Sequence, residues 1–174
     1  MPSGTMTADP SIPREDPDLL TGELDLLGQY LDYHRATLAM NCARLSETDL
    51  KRRAVPTSSL TLLGLVRHLT EMERHYLVHA LSGENRGFHY CTDENPEADI
   101  EGLDAGMTED SMRRWHQEQS DADALIAACT DLSAPTATGW NSVRWHLLKV
   151  IQEYARHNGH ADILRERIDG TTGE

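Results

Sequence analysis

The sequence has few cysteines and no long apolar run. Its three cysteines, Cys42, Cys91 and Cys129, are an odd number without the close spacing of a thiolate metal site. We therefore expect no disulfide framework and predict a cytoplasmic protein. No stretch approaches the roughly 20 apolar residues that span a bilayer, so no contact with a membrane is expected. No apolar segment follows a basic start either, which predicts that there is no secretory signal.

Basic residues are scarce relative to acidic ones. The chain has 16 Lys and Arg against 29 Asp and Glu, a formal net charge of −13. A surface of this sign repels phosphate backbones, so nucleic acid is not an expected partner. The content of 39% hydrophobic and 26% charged residues is typical of a soluble domain and excludes a disordered or fibrous chain.

Four long segments repeat apolar residues with the spacing of a helix and without a convincing strand between them. They predict an all-α fold, a four-helix bundle with a long loop between the second and third helices. The predicted helices are residues 19–45, 60–81, 108–129 and 141–168.

The segments outside the helices differ in character. Four prolines predict a flexible lead-in over residues 1–17, followed by the bundle over residues 18–170 and a short tail over residues 171–174. The acidic link over residues 83–107 is too long for a simple turn. Links of this length are often lids or binding loops.

The fourth helix carries two histidines and a carboxylate on one face. Glu153, His157 and His160 follow each other at i, i+4 and i+7, which places them within a wedge of about 60°. His157 also falls on the apolar stripe, where an unpaired imidazole is costly to bury. Such a face can form half of a metal site in a bundle core.

A second helix must complete such a site. His68, beside the apolar face of the second helix, is the best candidate, and the further candidates are His34, His75 and His79. Spacing alone leaves an ordinary alternative open, in which the histidines are core residues hydrogen-bonded to Glu153, Tyr154 and the backbone.

The chain resembles the DinB-like (YfiT-like) superfamily of small bacterial four-helix metalloenzymes. The resemblance is carried by PTSSLTLLGLVRHL at residues 56–69 and EYARHNGHADILRE at residues 153–166, and it covers roughly residues 18–170. It implies a bundle that is often a homodimer and a divalent metal held by one histidine of the second helix and two of the fourth. His68 matches the position in the second helix.

The spacing in the fourth helix departs from that pattern. Many members place the two histidines four residues apart, whereas His157 and His160 are three apart. A related branch, the mycothiol-dependent maleylpyruvate isomerases, uses a Glu and a His four apart, which Glu153 and His157 match. The resemblance thus implies the ligands His68, His157 and His160, with Glu153 next, as a ligand or as a partner that orients a ligand.

Characterised relatives in this superfamily include transferases and isomerases that use low-molecular-weight thiols such as mycothiol. The resemblance therefore implies a mycothiol-type S-transferase that acts on electrophilic small molecules with Zn²⁺, Ni²⁺ or Fe²⁺. A metal that binds the thiol favours its thiolate, the reactive form. Arg67 and Arg156, and also Arg144, are the candidates to bind the thiol cofactor.

Two other functions remain open at this point. One is a metal-dependent hydrolase or isomerase on the same scaffold, in which metal-bound hydroxide attacks and Glu153 is the general base. The other is a stress-related protein without catalytic activity, which binds a metal or a partner protein through its acidic surface.

Overall fold

Helices make up the regular secondary structure of the computed structural model, which describes residues 13–104 and 106–172. An isolated bridge between Pro135 and Ser142 is the one strand-like pairing among these residues. Part of the predicted lead-in, residues 1–12, lies outside the described residues. The helices are α1 (Glu23–Cys42), α2 (Glu47–Leu50), α3 (Leu62–Glu73), a π-helical segment (Arg74–His79), α4 (Ala80–Ser82), α5 (Met107–Ala127) and α6 (Val143–Asp169).

Local capping fixes where the helices of the candidate site begin. The Thr61 hydroxyl accepts the backbone N–H of Gly64 at 3.0 Å, so α3 begins two residues after the predicted start. The Ser142 hydroxyl does the same for the N–H of Trp145 at the start of α6. Gly170, with φ of 83°, ends α6 in the left-handed conformation that glycine adopts without strain.

The first helix is shorter than predicted. It begins at Glu23 instead of residue 19, and Leu19 and Leu20 are almost fully exposed. Because neither leucine is buried, no packing stabilises a helix at that point.

The second predicted helix is one continuous rod that contains an irregular turn. α3 runs directly into the π-helical segment and then into α4, which ends at Gly83 with φ of 76°. The wide turn was not predicted, since the apolar repeat continues through it.

The bundle is built from α1, the rod, α5 and α6. α6 packs against α1 and α3, and α3 also packs against α5. The predicted stripe of α6 is buried except at its last residue, and its buried members are Val143, Leu147, Val150, Tyr154, His157, Ala161 and Leu164. Within the described residues, no helix is both long and apolar enough to cross a membrane.

A buried polar network connects the four long helices. Arg35 of α1 binds both carboxylate oxygens of Glu73 in α3, at 2.9 and 2.6 Å. The Tyr154 hydroxyl of α6 donates to the same carboxylate at 2.6 Å and accepts the indole N–H of Trp115 in α5 at 2.7 Å. Each of these residues is at most 6% exposed, so the network fixes the relative positions of the helices inside the core.

Candidate metal centre

Three side chains from two helices meet in one small region of the bundle. His68 projects from α3, and Glu153 and His157 project from α6. One potential ligand atom from each lies within 4.8 Å of the others, and no other such group is found among the described residues. The ring centroids of His68 and His157 are 4.7 Å apart.

His68 is held by a carboxylate of the long link. Its Nδ1 lies 2.7 Å from Oδ2 of Asp99, which is 4% exposed. Burial raises the pKa of Asp99, but the hydrogen bond and the charge of His68 outweigh it, and the net pKa is lowered. Because the ionised carboxylate can only accept, Nδ1 of His68 carries a proton, and in the neutral form of the ring the lone pair is on Nε2. Histidines that bind metals usually have such a partner.

His157 is uncharged at neutral pH. Burial, followed by the neighbouring His68 and His160, lowers its pKa to about 4. Neutral imidazole is the form that binds a metal. The Nε2 atom of His157 lies 3.6 Å from Oε2 of Glu153.

Glu153 supplies the negative charge of the group. Burial raises its pKa, but the hydrogen bond from Lys149 and the nearby histidines outweigh burial, so the net pKa is lowered. The Lys149 ammonium binds Oε1, and Oε2 is the oxygen nearer to His157. Two imidazole nitrogens and one carboxylate oxygen suit a late first-row divalent metal and leave coordination positions open.

His160 lies beside this group and outside it. Its Nδ1 is 3.4 Å from Nδ1 of His157, on the opposite side of that ring from the nitrogen nearest Glu153. The arrangement therefore differs in one residue from the preferred sequence prediction: the structure brings Glu153 together with His68 and His157. The other histidines considered are elsewhere, with His34 against Asn158 and with His75 and His79 on the π-helical segment.

The arginines predicted to bind a thiol are in different environments. The guanidinium of Arg67 is buried, donates to the carbonyls of Ala98 and Glu101, and stacks 4.2 Å from the Tyr90 ring. Arg144 is paired with Glu23 at 2.6 Å. Arg156 is exposed on α6.

The link between α4 and α5 forms one wall of the site with residues between 88 and 100. A groove of about 600 Å³ opens beside His68, and its lining is His68, Glu71, Met72, Phe88, Cys91, Thr92, Asp93, Pro96, Glu97, Asp99 and Ile100.

The link is held in place by Glu71 of α3. This fully buried residue accepts the backbone N–H groups of His89, Tyr90 and Cys91 at 3.1, 2.6 and 3.3 Å. The link is thus fixed at its middle. Sequence reasoning missed both Glu71 and Asp99, because a carboxylate that bonds across the chain has no periodic signature.

The cysteines are poor nucleophiles in this fold. Burial and then Asp99 raise the pKa of Cys91 to about 11, and burial raises that of Cys42 to about 12 and that of Cys129 above its usual range. At pH 8 a thiol with a pKa of 11 is ionised to about one part in a thousand.

We expect iodoacetamide at pH 8 to label the cysteines of the native protein slowly and those of the urea-unfolded protein rapidly, because unfolding exposes the thiols and returns their pKa to the usual range. Labelling of native Cys91 at the rate of a free thiol would contradict this.

A comparison with known proteins identifies the family to which the chain is similar. A family model described as mycothiol-S-transferase matches residues 26–170, which include all three residues of the group and the whole link. None of the curated proteins matches the chain.

Proposed function

This chain belongs to the mycothiol-S-transferase family, and from that premise we propose that it is a divalent-metal-dependent enzyme that transfers a mycothiol-type thiol to electrophilic small molecules. The observation that carries the proposal is the group of His68, Glu153 and His157 within 4.8 Å. It offers an incomplete coordination sphere next to a groove large enough for a small molecule.

In this proposal His68, Glu153 and His157 hold the metal, which when bound lowers the pKa of a coordinated thiol and so supplies a thiolate at neutral pH. Asp99 keeps the proton of His68 on Nδ1, away from the ligand nitrogen. Lys149 keeps Glu153 ionised. His160 orients the ring of His157 through the contact between their Nδ1 atoms.

The groove beside His68 is where we place the electrophile. Met72, Phe88 and Ile100 give it apolar walls, and its charged lining residues are acidic. An uncharged apolar electrophile fits this lining better than an anionic one. Because the guanidinium of Arg67 is engaged by carbonyls, we do not assign it to the thiol, and Arg156 stays a prediction.

The reaction proposed is a substitution in which a C–S bond forms as the bond to a leaving group such as chloride breaks. The sulfur supplies the electron pair, the halide leaves with the pair of the broken bond, and the thiol proton passes to solvent. No cysteine of the chain is well ionised, so the sulfur comes from an external thiol.

The test is thiol dependence. Zinc-loaded protein is incubated with 1-chloro-2,4-dinitrobenzene, with and without mycothiol, while thiol and electrophile are both measured. We expect the two to disappear in equal amounts, and His157→Ala to abolish the reaction while His116→Ala, at an exposed histidine outside the group, leaves it intact. Loss of electrophile without thiol would favour the hydrolase, and no loss across a panel of electrophiles would overturn the proposal.

A further inference from the structure

A second set of histidines surrounds a pocket at the other end of the rod. His75 and His79 lie on the π-helical segment, and His146 lies near the start of α6. The pocket has a volume of about 340 Å³ and is lined by His75, His79, Ala80, Thr138, Trp140 and His146. Since His79 is eleven residues beyond His68 on the same rod, the pocket is roughly 15 Å along the helix axis from the first centre.

His146 has a buried acceptor without a partner. Its Nε2 lies 2.9 Å from the carbonyl oxygen of Trp140, and a carbonyl only accepts, so the proton is on Nε2. The lone pair is then on Nδ1, which is buried and has no hydrogen-bond partner, in a residue that is only 5% exposed. Burying an acceptor without a hydrogen bond is unfavourable. A lone pair held in this way, with the other ring nitrogen bonded to a backbone carbonyl, is the usual state of a histidine that binds a metal.

The other two imidazoles are close neighbours. The ring centroids of His75 and His79 are 5.9 Å apart, and both side chains are half-buried. Burial and then the nearby His79 and His146 lower the pKa of His75, which keeps that ring neutral. The π-helical turn that carries the pair is a costly conformation, and such turns are frequent at functional sites.

We propose that His75, His79 and His146 form a second binding site, for a late first-row divalent cation such as Zn²⁺ or Cu²⁺. Three imidazoles without a carboxylate among them suit these ions and not Mg²⁺ or Ca²⁺. His146 is the fixed ligand, and the half-buried rings of His75 and His79 rotate toward its Nδ1 when the ion binds. This rotation is necessary because only the first centre has three ligand atoms within 4.8 Å among the described residues.

The experiment counts zinc ions per chain by equilibrium dialysis and elemental analysis. We expect two ions in the wild type and one in a His75→Ala/His79→Ala variant, in which both changes are at half-buried positions and disturb the core little. His146→Ala is expected to lose the same ion. The matched control, His116→Ala, keeps both.

Repeating the count in a His157→Ala background isolates the second site from the first. One ion is expected there, lost on adding His75→Ala/His79→Ala, and Co²⁺ at the same site is expected to give a visible d–d absorption that disappears with it. Equal zinc content with and without His75 and His79 in both backgrounds would overturn the proposal. This test does not depend on thiol transfer, because the proposal of a second site concerns metal binding alone.

Discussion

Alanine in place of His68, Glu153 or His157 is expected to remove the metal and, with it, thiol transfer. Each change deletes one of three donors that lie within 4.8 Å of one another. Loss of a group that only orients a ligand costs roughly 10- to 100-fold in metal affinity, and loss of a ligand is expected to cost more. The measurement is a zinc titration against a chelating indicator. It is made in the His75→Ala/His79→Ala background, in which the first centre is the only one of the two proposed sites that still binds zinc.

The same titration distinguishes Glu153 from His160 as the third ligand. His160→Ala is expected to weaken zinc binding within the 10- to 100-fold range, as is Asp99→Asn, because both residues act through a ligand. His116→Ala is expected to have no effect. If His160→Ala abolishes binding while Glu153→Ala weakens it only modestly, the third ligand is His160 and the assignment of Glu153 fails.

The fold could be predicted because apolar spacing dominates in long helices. The stripe of α6, from Val143 to Leu164, is buried as its period predicts. The predicted start of α1 was wrong by four residues, since Leu19 and Leu20 continue the apolar period although both side chains are exposed. The apolar period of the sequence indicates which face of a helix can be buried, and only the tertiary structure determines whether that face is buried.

The candidate site was predictable only in part, for a related reason. Helical spacing brought Glu153, His157 and His160 to one face but could not decide which of them His68 meets, because that depends on how α3 and α6 pack. Asp99 and Glu71 act across the chain between a helix and an irregular link. Their effect is large, but nothing in the local sequence distinguishes them from the many acidic residues of this chain.

The polar network in the core predicts the largest effect on stability. Arg35→Ala would leave the carboxylate of Glu73 buried, fully shielded from solvent and without its cation. Removing one partner of a buried ion pair costs about 3–5 kcal/mol in the free energy of unfolding. We expect a loss of this size in urea denaturation of the metal-free protein, in which bound zinc does not contribute. Arg144→Ala, which removes an equally short but exposed pair with Glu23, is the control and is expected to change little.

A double variant tests whether the cost arises from the stranded charge. Glu73→Gln added to Arg35→Ala removes the buried charge and keeps an oxygen that can accept the hydroxyl of Tyr154. If the uncompensated carboxylate is the cause, the double variant regains most of the lost stability, and the two changes are strongly non-additive. Additive losses would instead mean that the network stabilises the protein through packing alone.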